Sequence, residues 1–150
     1  MQRQQGSRRA RWLPLLVAAT GIAGAAVADP AQDYMLHCMG CHGARAEGVA
    51  GKVPPLAHAL ARFMRSATGR SYVLRVPGAA NSTLSDQRLA GVLNWVAQRF
   101  DADELSSATA PFTTEEVAAQ RHTPLAAVLA TRQQVLQELA ASGPAPAAHY

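Results

Sequence analysis

The chain has only two cysteines, Cys38 and Cys41, in 150 residues. That excludes a framework of several disulfides and a four-cysteine zinc site, which needs a second pair to complete its ligands. Strand signals are close to nil and there is no internal repeat, so sheet-based folds and repeat arrays are not expected. A long uninterrupted apolar run is missing too. Trp12 to Val27 is apolar or small, but Pro14, Thr20, Gly21 and Gly24 interrupt it and it is short for a bilayer span.

That run fits a secretory leader instead. Arg3, Arg8, Arg9 and Arg11 precede it without an acidic residue, and Ala26-Val27-Ala28 follows as an A-x-A cleavage signal. Residues 1–28 are expected to be a signal peptide and Asp29 the mature start, leaving no transmembrane span. An uncleaved anchor and twin-arginine export through Ser7-Arg8-Arg9 are the alternatives. Four of the fourteen basic residues belong to the leader, and the ten that remain balance ten acidic ones. The basic character of the whole chain is therefore no warrant for a nucleic-acid partner. The remaining charge is segregated: residues 45–99 are strongly cationic, whereas residues 101–150 are anionic.

Along the mature chain, Ala31 to Cys38 reads as a short helix and Gly40, Gly43, Gly48 and Gly51 mark a loop. After Pro54-Pro55 a helical stripe carries Leu56, Leu60, Phe63 and Ala67, ending at Thr68-Gly69-Arg70. Ser71 to Val76 fits either a helix or an extended segment, and Pro77-Gly78 signals a turn. Ser85 is placed to cap a helix presenting Leu89, Val92, Leu93, Val96 and Phe100. A linker follows from Asp101 to Pro111. Thr113 or Thr114 then caps a helix with Glu115 and Glu116 in its first turn, Pro124 breaks it, and a second stripe runs through Leu125, Val128, Leu129, Arg132, Val135, Leu136 and Leu139. Gly143 to Ala148 reads as a flexible end.

The chemistry resides in Cys38-Met39-Gly40-Cys41-His42, a C-x-x-C-H sequence of the kind that attaches c-type haem. Each thiol adds to one porphyrin vinyl group, and the two-residue gap matches the separation of the vinyls along a helical turn. The histidine directly after is carried beneath the iron. A redox-active C-x-x-C is the competing reading, but such motifs follow a strand in an alternating strand and helix pattern, and no strand precedes Cys38.

Residues 31–100 resemble the class I cytochromes c. Tyr34 is similar to the family's aromatic that packs against the terminal helix. Pro54-Pro55-Leu56 resembles its P-x-L segment, and Ser85 to Phe100 with Trp95 resembles its closing helix. The resemblance implies an all-α fold around one covalent haem c, with Cys38 and Cys41 as attachment points and His42 as axial ligand. It places Pro54, Leu56, Tyr34 and Trp95 around that group, the Pro54 carbonyl accepting from the imidazole and fixing its tautomer.

The usual distal methionine is missing. Residues 76–84 contain neither methionine nor histidine, and Gly78 or Ala79 stands where the ligand is expected. Met64 is the candidate from the preceding helix, competing with a packing role. Met35 and Met39 sit too near the attachment motif, His58 suits a surface or propionate contact, and His122 and His149 lie in the extension. A vacant or water-filled position is the remaining account.

The expected organisation is a signal peptide at 1–28, a cytochrome c domain at 29–100, and a linker with a helical pair and flexible end at 101–150. The expected function is one-electron transfer in the periplasm, as a carrier and not an enzyme, with a periplasmic dehydrogenase or oxidase as redox partner. The alternative is a five-coordinate haem that binds or senses peroxide, NO or CO. Arg45, Lys52, Arg62, Arg65, Arg70 and Arg75 form either a docking surface or an ordinary solvated face, and the acidic tail either folds back onto them or offers its apolar stripe to a partner.

Overall fold

A computed structural model describes residues 29–123 and 125–149. The expected leader at 1–28 and the expected helix breaker Pro124 lie outside the described residues.

The fold is all-α. Helix α1 spans Pro30–His37 and starts on Asp29, whose carboxylate accepts the Ala31 N–H at 2.9 Å, with Pro30 at its first position. The chain bends at Cys38 and re-forms a single turn, α2, over Met39–His42. A loop through residue 59 follows, with an isolated bridge between Val49 and Val53. Gly48 sits at φ 71°, and a Cβ there would lie 2.4 Å from the Val53 carbonyl oxygen, so the turn requires glycine.

The stripe after Pro54-Pro55 is not one helix. It splits into α3 (Leu60–Phe63) and α4 (Ala67–Arg75), because the Ser66 hydroxyl accepts the Gly69 N–H at 3.0 Å and caps a new start. Gly69 therefore lies inside α4 and does not end a helix. A Cβ there would come within 2.2 Å of the Phe63 carbonyl oxygen, so the glycine serves close approach. The undecided segment 71–76 is thereby helical as far as Arg75, and Val76 is extended. Pro77–Ala80 forms the single turn α5.

The long helix α6 (Asp86–Phe100) begins on Ser85, whose hydroxyl accepts the Arg88 N–H at 3.3 Å. A 3-10 turn at Ala102–Glu104 leads to α7 (Thr114–Gln120), capped by Thr113 at 3.1 Å, and to α8 (Val128–Ser142).

Helix α6 packs on α1 and α7, while α4 packs on α3, α7 and α8. One continuous core results. Phe112, Val117, Val135, Leu136 and Leu139 of the C-terminal part are buried in the same cluster as Tyr34, Leu60, Leu74, Val92 and Val96. Full burial of such a side chain contributes ~1.5–3 kcal/mol, so the extension is a structural part of the domain.

The charge segregation seen in sequence is spent inside the molecule. Arg62 pairs with Glu104 at 2.5 Å and donates to the Ala145 carbonyl at 3.1 Å. Arg70 meets Glu116 with Nε–Oε1 at 2.7 Å and lies over the Phe112 ring. Arg75 donates to the Thr123 carbonyl at 2.8 Å, and Arg65 donates to that of Pro144. Four of the six cations offered as a docking face are thus held by the tail. Residues 143–148 have no regular structure but are tied down by these bonds, by Arg132 to the Ala147 carbonyl at 2.9 Å, and by burial of Pro146.

Candidate functional site

The break at Cys38 and the single turn of α2 place both thiols and the His42 ring along one wall of a cleft of about 440 Å³, within the usual range for ligand sites. Val53, Pro54, Pro55 and Leu56 extend that wall. Helices α3 and α6 contribute Leu60, Phe63, Leu89 and Val92, and α4 and α5 close the cleft with residues from Tyr72 to Ala79.

His42 Nδ1 lies 3.0 Å from the Pro54 carbonyl oxygen. A carbonyl only accepts, so Nδ1 carries the proton and Nε2 keeps its lone pair. Burial pushes the His42 pKa down, partly offset by the Pro54 bond, which keeps the ring neutral near pH 7 and able to bind a metal. The loop behind it is held by backbone bonds, among them Gly48 N–H to the His42 carbonyl at 2.8 Å.

Tyr34 and Trp95 do not line the cleft. Tyr34 donates its hydroxyl to the Gly43 carbonyl at 2.6 Å, bracing the turn just after His42. Its ring packs on Trp95 at 5.5 Å and Phe100 at 6.1 Å. Burial, with Cys38 and Glu47 nearby, pushes its pKa up to about 12, so it remains a donor at ordinary pH.

Burial, with Asp33 and Cys41 nearby, likewise pushes the Cys38 thiol up to about 11. Redox-active C-x-x-C thiols are shifted the other way, which speaks against disulfide exchange as the motif's purpose.

Met64 is 4% exposed among core side chains and is not a lining residue of the cleft, although its neighbour Phe63 is. Met35 and Met39 are exposed and are not lining residues either. His58 is exposed, with its backbone N–H bound to Asp101.

Four buried charged residues were not singled out as site residues from the sequence, and three of them, Arg132, Arg121 and Asp101, bear on the cleft. Arg132 of α8, 5% exposed, reaches the cleft and stands over the Phe63 ring at 5.4 Å. The Arg121 guanidinium binds the Leu84 carbonyl at 2.8 Å, Asp86 at 3.1 Å and the Ser82 carbonyl, fastening the turn after α5. Asp101, 2% exposed, accepts the N–H groups of His58 and of Ala61 (2.9 Å), holding the start of α3 beside the cleft. A larger hollow of about 680 Å³ lies between α8 and residues 145–149, but neither thiol nor His42 reaches it; Arg132 borders both.

An apolar cleft with two thiols and a neutral imidazole on one wall suits a covalently held haem, and with the helical fold it defines a c-type cytochrome. The family model "Cytochrome c" matches residues 27–119. Over 131 residues the chain is 33% identical to a cytochrome c-552 of Thermus thermophilus, covering 75% of this chain and 84% of that protein. A second Thermus thermophilus cytochrome c-552 is 33% identical over 129 residues, 74% of this chain and 94% of the relative. The chain belongs to the cytochrome c family, which implies a covalently attached haem c and a part in electron transfer. No described helix is long and apolar enough to cross a membrane.

Proposed function

We propose that the protein is an exported electron carrier, with haem held by thioethers at Cys38 and Cys41, its iron ligated by His42, and the periplasm as its compartment. The observation that supports this best is the 3.0 Å contact between His42 Nδ1 and the Pro54 carbonyl, beside both thiols in one apolar cleft. The haem, when bound, supplies the one-electron couple. The protein's own part is to hold it, to fix the imidazole and to surround it with apolar side chains. Pro54 sets the tautomer and raises the basicity of the ring. Leu56, Leu60, Val92 and Val96 provide a low-dielectric lining that sets the cost of changing the charge. Arg132 brings a buried positive charge to the same lining, which favours the reduced state.

The partner is a periplasmic dehydrogenase or oxidase that exchanges electrons at the attachment edge. Exposed Met35 and Leu36 precede the attachment motif there, and exposed Met39 lies within it. With Arg62, Arg65, Arg70 and Arg75 engaged by the tail, encounter depends only weakly on salt. The full-length precursor should be expressed in a host with haem-attachment machinery and its periplasmic fraction purified. Haem that survives denaturing electrophoresis on a chain starting at Asp29 by mass spectrometry, and reversible one-electron reduction, are the expected results. A chain without covalent haem, or one retained in the cytoplasm, would overturn the reading.

A further inference from the structure

We propose that the side of the cleft built by α4 and α5 is an open binding site for a neutral diatomic π-acceptor, of the carbon monoxide or nitric oxide class, at the iron face away from His42. This rests on the haem attachment and His42 ligation proposed above.

Of the four methionines, Met1 lies outside the described residues, and none of Met35, Met39 and Met64 lines the cleft. His37 also lines the cleft, but it directly precedes Cys38 and so belongs to the attachment side, its Nδ1 3.5 Å from the Thr83 hydroxyl. The wall itself consists of Tyr72 and Val73 from α4, of Val76 between the two helices, and of Pro77, Gly78 and Ala79 from α5, with Ser82 after them. Gly78 is an exposed member of this wall, and a Cβ built on it meets nothing within 4 Å, so the backbone there admits a longer side chain.

The wall is also fixed. Ala79 and Ala80 donate to the Val76 carbonyl at 3.0 and 2.9 Å, Ser82 donates to the Ala79 carbonyl at 3.2 Å, and Arg121 fastens the turn that follows. Such a segment does not swing in to supply a ligand.

Its composition selects what can enter. Val73, Val76, Pro77 and Ala79 offer nothing to solvate an anion, so a small uncharged ligand loses least on leaving water. The wall holds hydroxyls at Tyr72 and Ser82 but no carboxylate or imidazole, and therefore no general base for peroxide cleavage. The cleft's cations, Lys52 and Arg132, come from other elements.

The test uses the full-length holoprotein, with carbon monoxide titrated into the dithionite-reduced form at neutral pH. Saturable binding with a shifted Soret band is expected. G78M and A79M should weaken it by about tenfold or more, as a tethered thioether competes for the iron, and should introduce a far-red sulfur-to-iron band in the ferric spectrum. Ala79→Leu supplies bulk without a ligand and should weaken binding without that band. Failure of the wild type to bind carbon monoxide overturns the proposal, whether its ferric spectrum shows the sulfur band, lost in Met64→Leu, or that of a second nitrogen ligand. Haem retention on a denaturing gel is read separately, so loss of attachment and loss of the open site are distinguishable.

Discussion

The two walls of the cleft are built on different principles. The Cys38 to Leu56 wall is polar where it matters: the imidazole is bonded to Pro54, the following turn is braced by Tyr34, and the loop closes on its own backbone. The α4–α5 wall is mostly apolar and carries no ligating side chain, yet it too is held, from outside, by Arg121 of the tail. The difference separates two tasks. One wall presets a metal ligand, whereas the other preserves a shape.

Breaking the first wall should have the largest effect. C38A/C41A should carry no haem that survives denaturation, and His42→Ala should lose the nitrogen signature of the axial ligand, read by the visible spectrum. Next in size is the tie that holds the start of α3 beside the cleft. Removing the buried Asp101 carboxylate (Asp101→Ala) leaves the amides of His58 and Ala61 without their acceptor, and should cost ~2–4 kcal/mol in urea unfolding. An unchanged unfolding midpoint would show that α3 does not depend on it.

A smaller effect is expected from Arg132→Met, which removes a buried positive charge from the lining while keeping bulk. The oxidised state gains relative stability, so the reduction potential should fall by tens of millivolts, on the order of 1 kcal/mol, in a spectroscopic titration. A rise would place the guanidinium's influence elsewhere. The smallest effect concerns the surface. Glu104 is held below the usual carboxylate range by its bond to Arg62. A depressed carboxylate stabilises the fold above its unfolded pKa and loses that contribution as pH falls through its folded value. Acid below the ordinary glutamate range should therefore weaken tail docking in the wild type, and E104Q should lack that component of the acid transition.

Local signals made much of this legible in sequence. Ser85 and the Thr113-Thr114 pair marked helix starts because an N-cap acts within three residues, and the C-x-x-C-H spacing is itself the chemistry. What escaped was set by distant partners. Gly69 reads as a helix end until the Phe63 carbonyl is seen against it. Asp101 reads as the first acidic residue of a linker, although it is buried and caps residues forty positions upstream. The tail's two helices were legible and their folding back onto the cations was one of two readings, while the particular pairs were not, since the pairing of Glu104 with Arg62 and of Glu116 with Arg70 depends on how the helices dock. Arg132 did leave a signal: a charged residue inside the apolar stripe of α8 needs a buried destination. The missing methionine was legible as a gap at 76–84, and the structure adds that the wall around that gap is fixed.

The most direct test of the contrast between the walls is the electron paramagnetic resonance spectrum of the ferric holoprotein at neutral pH. A ligated wall facing an empty one predicts a predominantly high-spin axial signal. A purely low-spin rhombic signal, which requires a strong sixth ligand from the protein, would contradict it.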